Sequence, residues 1–100
     1  MRCYDKVLEL EPRYVAAWNN KGISLDSLGH HEEAIHCYDK ALELDPRDAA
    51  AWNNKALAED KLGQWREVAH SYQQFLALAP AQYVKQIERA RKRLQELGGK

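Results

Sequence analysis

The sequence predicts an all-α solenoid of antiparallel helix pairs, about six helices long, and three observations carry that prediction. The chain repeats itself: residues 3–20, CYDKVLELEPRYVAAWNN, return at 37–54 as CYDKALELDPRDAAAWNN, an offset of 34 residues with four differences in eighteen. Pro12, Pro46 and Pro80 keep the step, as do Tyr4, Tyr38 and Tyr72, Leu10, Leu44 and Leu78, Trp18 and Trp52, and Gly29 and Gly63. Within each period apolar residues recur at helical spacings, with a stop roughly every sixteen residues. No stretch alternates as a half-buried strand requires.

Taken in order, residues 1–14 match only the second helix of a period, so the chain begins in mid-repeat and reads as an excerpt of a longer array. Val7, Leu8 and Leu10 then lack the preceding helix that would cover them, and such an end is expected to self-associate, head to tail or by exchange. Residues 15–48 form the first full repeat. Trp18, Gly22, Leu25 and Leu28 step by three and four along one face, and Gly29 supplies the left-handed residue that commonly ends a helix. The second helix runs from near His31 to Leu44, with Ala34, Ile35, Tyr38, Ala41, Leu42 and Leu44 as its apolar stripe, until Pro46 stops it. Residues 49–82 repeat the design. In residues 83–100, Tyr83, Ile87, Ala90, Leu94 and Leu97 make an apolar stripe on an otherwise charged helix that ends at Gly98 and Gly99, which predicts a polar-faced cap for the stack.

The spacing of Trp18, Gly22, Leu25, Ala34, Tyr38 and Pro46, continued by Trp52, Ala56, Val68, Tyr72 and Pro80, resembles the tetratricopeptide repeat. Lys21, Lys55, Glu59, Val68 and Phe75 depart from that family's usual residues. The resemblance implies a right-handed superhelix whose inner wall, lined by the first helix of each pair, binds an extended or helical peptide. The matching positions are Asn19, Asn20, Ile23, Asp26 and Ser27 in the first repeat, Asn53, Asn54, Leu57, Asp60 and Lys61 in the second, and Arg91 in the last helix. Asparagine suits the task because its amide both donates and accepts, so it can pair with a peptide unit irrespective of side chain. The competing reading has these asparagines bonding neighbouring helices within the stack. Some relatives grip a C-terminal carboxylate with lysines, arginines and asparagines on this wall. Here Asn19, Val84 and Glu88 stand where the cations would be, which argues against such a clamp.

Fifteen basic and fifteen acidic side chains cancel overall, although residues 83–100 carry six bases and two acids, and residues 1–82 carry nine and thirteen. A neutral chain is a poor electrostatic match for a phosphate backbone. Arg89, Arg91, Lys92 and Arg93 still make nucleic-acid binding the alternative function, one that salt would weaken steeply. No pair among His30, His31, His36 and His70 has the spacing that places two imidazoles on one helical face, so no metal is expected. Cys3 and Cys37 lie one repeat apart, a helix spacing of about 8–10 Å, too far for an undistorted disulfide. Reduced thiols, the lack of an apolar run approaching the about 20 residues of a membrane span, and a start without a signal segment point to a cytoplasmic protein. The chain has no glycine-rich phosphate loop and no convergent nucleophile, base and acid, so the expected role is non-catalytic and cofactor-free: a scaffold surface for a protein or peptide partner.

Overall fold

The computed structural model describes residues 14–98. Five helices account for nearly all of them: α1 (Val15–Ser27), α2 (His31–Leu44), α3 (Ala49–Lys61), α4 (Trp65–Leu78) and α5 (Val84–Gly98). Cys3, Val7, Leu8 and Leu10, and with them the expected leading helix, lie outside the described residues. There is no strand among the described residues, and no helix in them is long and apolar enough to cross a membrane.

The helix boundaries follow from local chemistry. Gly29 (φ 86°) and Gly63 (φ 74°) occupy the left-handed region, where a side chain would be strained. Each closes the same motif. Gly29 N–H donates to Asp26 O at 3.0 Å and His30 N–H to Leu25 O at 2.9 Å, while Gly63 and Gln64 repeat both bonds onto Asp60 and Glu59. These paired bonds satisfy carbonyls that the helix end would otherwise orphan. At the opposite ends, α2 and α4 stop two residues before Pro46 and Pro80, whose rings cannot continue a helix. Asp48 caps α3 by accepting from the Ala51 N–H at 3.4 Å, and the Trp52 indole N–H reaches back to Pro46 O at 3.0 Å, which holds the turn between repeats.

Within a repeat the two helices approach closely because one of them carries a small residue where the other carries a ring. A Cβ on Gly22 would lie 2.5 Å from Tyr38 Cε1, so only glycine fits there, and Tyr38 is buried by that approach. Tyr72 and Ala56 occupy the equivalent positions in the second repeat and are also buried together. Between repeats, Ala41 and Leu42 of α2 pack with Ala51 of α3, flanked by Val15, Trp18 and Trp52. Val68 and Phe75 are fully buried, so the departures at those positions fill the core between α3, α4 and α5. Tyr83, Ile87, Leu94 and Leu97 lean on that same cluster around a buried Ala90, as the stripe on the last helix predicts. Leu28 departs from expectation: it follows the last helical residue of α1 and is exposed.

Candidate functional site

Helices α1 and α3 are the first members of their pairs, α5 takes the corresponding place after α4, and the three succeed one another along one side of the stack. α1 touches α3 directly. Two ion pairs extend that link. Lys61 of α3 lies 3.6 Å from Asp26 of α1, and Arg93 of α5 makes a two-pronged bond to Asp60 of α3, 2.9 Å through both Nε and Nη2. Residues one period apart therefore form rows: Ile23, Leu57 and Arg91; Asn20, Asn54 and Glu88; Ser27, Lys61 and Gln95. Ile23 is 45% exposed and Leu57 is half-buried. Asn20, Ser27, Lys61 and Arg91 are exposed, and Asn54 is half-buried beside Leu57. This surface offers apolar anchors within reach of amides, a hydroxyl and cations.

Three of the expected wall residues do other work. Asn19 is only 9% exposed and donates from Nδ2 to Asp48 Oδ2 at 2.7 Å, tying α1 to the cap of α3. That bond places its Nδ2 within the stack, while its Oδ1 is buried without a hydrogen-bond partner. Asp26 bonds His31 as well as Lys61, and its side chain is largely buried. Asp60 is taken by Arg93. Both aspartates brace neighbouring helices instead of facing open solvent. Asn53 is half-buried with a buried Oδ1 that has no hydrogen-bond partner; the position equivalent to Asp48 is Gln82, which is exposed.

The basic stripe on α5 is likewise divided. Arg89, Arg91 and Lys92 are exposed, but Arg93 is withdrawn between Asp60 and Glu96 and stacks over Trp65 at 5.3 Å from the ring centroid. The histidines are scattered. His31 bonds Asp26, His30 lies 3.7 Å from Glu33, and His70 meets the edge of Trp52 at 5.6 Å between centroids. Lys21 and Lys55 lay their cations over Trp18 and Trp52, so stem and charge both find partners.

A pair of positions between α3 and α4 carries chemistry that the periodic reading of each helix does not reveal. Glu59 is 2% exposed and accepts from the Ser71 hydroxyl at 2.6 Å. Burial pushes its carboxyl above the ordinary range, while the Ser71 hydrogen bond and then the Lys55 charge pull it partway back. Lys55 is itself paired with Asp39 at 2.7 Å. The first repeat has Leu25 and Cys37 at these two positions, both buried in one apolar cluster. The signal was present in the sequence, because both members change together between one repeat and the next.

Comparison with known proteins agrees with this arrangement. Two models described as tetratricopeptide repeat match residues 15–48 and 37–67, together more than half of the chain. The chain belongs to the tetratricopeptide-repeat family. Among solved structures, the fold is similar to that of the TPR2B domain of yeast Sti1 in its pHsp70 complex, at 18% identity over 98% of this chain and 79% of that one, with a TM-score of 0.86. It is equally similar, at 22% identity and TM-score 0.86 over 97% and 78% of the two chains, to the first TPR of Spaghetti (RPAP3) bound to the HSP90 peptide SRMEEVD. The Sgt2 TPR domain from Aspergillus fumigatus follows at 18% identity and TM-score 0.78, over 97% and 67%. A search of curated proteins finds no match. These likenesses establish the tetratricopeptide-repeat solenoid as the fold.

Proposed function

We propose that this tetratricopeptide-repeat chain is a non-catalytic protein-interaction module that binds an extended or helical segment of a partner protein along the wall formed by α1, α3 and α5. The observation that carries the reading is the exposed Ile23, set one period from Leu57 and bordered by Asn20 and Asn54. An apolar anchor beside amides that both donate and accept is the chemistry that a peptide requires. That two similarly folded domains are known in complex with pHsp70 and with an HSP90 peptide supports a protein-binding role. Asn20, Ile23, Ser27, Asn54, Leu57, Lys61 and Arg91 are the contact residues, with Asn53 behind them. The stretch of wall in the described residues buries little area, so this stretch by itself is expected to bind at about micromolar affinity or weaker. The buried thiol of Cys37 fits a reduced, cytoplasmic setting.

The test is selection of peptides from a displayed random library, followed by titration of the selected peptides with purified variants. An Ile23→Glu, Leu57→Glu double variant is expected to weaken binding at least about tenfold while keeping helical circular dichroism, since each lost apolar contact is worth about 1–3 kcal/mol. Unchanged binding, or binding that depends only on Arg89, Arg91 and Lys92 and disappears with salt, overturns the proposal.

A further inference from the structure

We propose that the wall takes its partner in one register: the bound segment is extended in the polyproline II form and sets an apolar, a second apolar and an acidic side chain, each three residues from the last, against Ile23, Leu57 and Arg91. This rests on the peptide-binding reading of the wall and narrows it to one backbone form and one side-chain pattern. The first observation is the step between the three positions. Ile23, Leu57 and Arg91 are one period apart on α1, α3 and α5. α1 touches α3, and Arg93 ties α5 to Asp60 of α3. Helices in contact lie about 8–10 Å apart, so the three side chains recur along the wall at about that interval. A β-strand returns a side chain to the same face every second residue, at about 6.6 Å and then about 13 Å, and falls out of step. Polyproline II has three residues per turn and rises about 3.1 Å per residue, so every third side chain faces the same way at about 9.3 Å. An α-helix comes near the interval only at every seventh residue, about 10.5 Å.

The row of amides decides between the last two. Asn20 and Asn54 stand three residues before Ile23 and Leu57, on the neighbouring turn of the same helices, one exposed and one half-buried. Glu88 continues the row on α5 as an exposed acceptor. Polyproline II makes no internal hydrogen bonds, so its main-chain N–H and C=O groups are open to such partners. A helical segment uses those groups within itself. Charge supplies the third element of the pattern. Lys61 lies against Asp26, and Arg93 is held by Asp60 and Glu96, whereas the exposed Arg91 has no carboxylate partner among the described residues. A carboxylate is the side chain that a guanidinium binds best, in a two-pronged bond.

Synthetic peptides, acetylated and amidated so that neither end is charged, test this by fluorescence anisotropy with the 100-residue chain. Each carries two leucines and a glutamate: at every second or every third residue among serine and proline spacers, or at every seventh among helix-forming alanine and glutamine. The peptide with the three-residue step is expected to bind about tenfold tighter than either of the others. Arg91→Glu should weaken that peptide about tenfold, and a lysine in place of its glutamate should restore binding to the variant. Arg89→Glu changes the net charge equally but lies about 200° around α5, so it should have little effect. Circular dichroism checks that the variants stay folded, and the comparison of spacings needs no variant. Equal binding at all three spacings, tighter binding at the second- or seventh-residue step, no binding of the three-residue peptide at millimolar concentration, or an Arg91→Glu effect no larger than that of Arg89→Glu overturns the register. If peptides of the wrong spacing still lose binding to the Ile23→Glu, Leu57→Glu variant, the register alone falls. If that variant binds every peptide as the wild type does, the wall reading falls with it.

Discussion

Giving the second repeat the interior chemistry of the first should stabilise the protein, by an amount that depends on pH. Glu59 and Ser71 stand where the first repeat has Leu25 and Cys37, and all four side chains are buried. In the second repeat the carboxyl has one short bond, from Ser71, and the cation whose charge acts on it, Lys55, is held by Asp39. Replacing a buried polar pair with apolar residues of similar size is typically neutral or favourable by about 1–4 kcal/mol, and burying a leucine is worth about 1.5–3 kcal/mol. The double variant Glu59→Leu, Ser71→Cys is therefore expected to gain about 1–3 kcal/mol at pH 7, or about 4–8 °C in melting temperature per kcal/mol for a domain of this size. Ser71→Ala alone should lose about 1–3 kcal/mol, since it leaves the carboxyl without its donor. The sign of the pH effect follows from the raised carboxyl. The folded protein takes up this proton more readily than the unfolded chain, so the glutamate costs least below the ordinary value of 4.5, and the cost grows as pH rises through the raised folded value. The double variant's advantage should accordingly shrink on going from pH 7 to the ordinary glutamate value of 4.5 in urea unfolding followed by circular dichroism. A double variant less stable than the wild type, or an advantage that stays the same at the two pH values, refutes the reasoning.

Other substitutions probe the packing and the joints. Gly22→Ala should destabilise by about 1–3 kcal/mol despite alanine's better helix propensity, because its Cβ meets the Tyr38 ring, whereas Gly98→Ala, with nothing within 4 Å, should be neutral; urea unfolding compares them. Asp48→Ala removes both the α3 cap and the acceptor of Asn19, and is expected to cost about 1–2 kcal/mol, with faster amide exchange at the start of α3. Arg93→Ala releases Asp60 and uncovers Trp65, so α5 should exchange its amides faster while α1 and α2 do not change; equal effects on all helices would mean that Arg93 is no staple.

The helix pairs were legible because each boundary has its own chemical mark. Gly29, Gly63, Pro46 and Pro80 punctuate the chain at the observed helix ends, and the small residues Gly22 and Ala56 recur opposite the tyrosines. Side chains with two uses were harder to place. Asn19 looks like a ligand contact by position, yet its partner Asp48 is 29 residues away and caps another helix, a distance that helical periodicity does not see. Asp26, Asp60 and Arg93 read as wall or stripe charges for the same reason: their pairings run between neighbouring helices, whose contact angle the pattern of one helix does not determine. The Glu59 and Ser71 exchange was legible after all, but only by laying one repeat over the other position by position.

The account's central claim is that the wall of first helices is the binding surface. Backbone amide shifts of the isotope-labelled protein, titrated with a library-selected peptide, test it most directly. The largest changes are expected at Asn20, Ile23, Asn54, Leu57 and Arg91, with α2 and the outer face of α4 little affected. Changes centred on His36 and His70, on the second helices, with Ile23 and Leu57 unmoved, would contradict it.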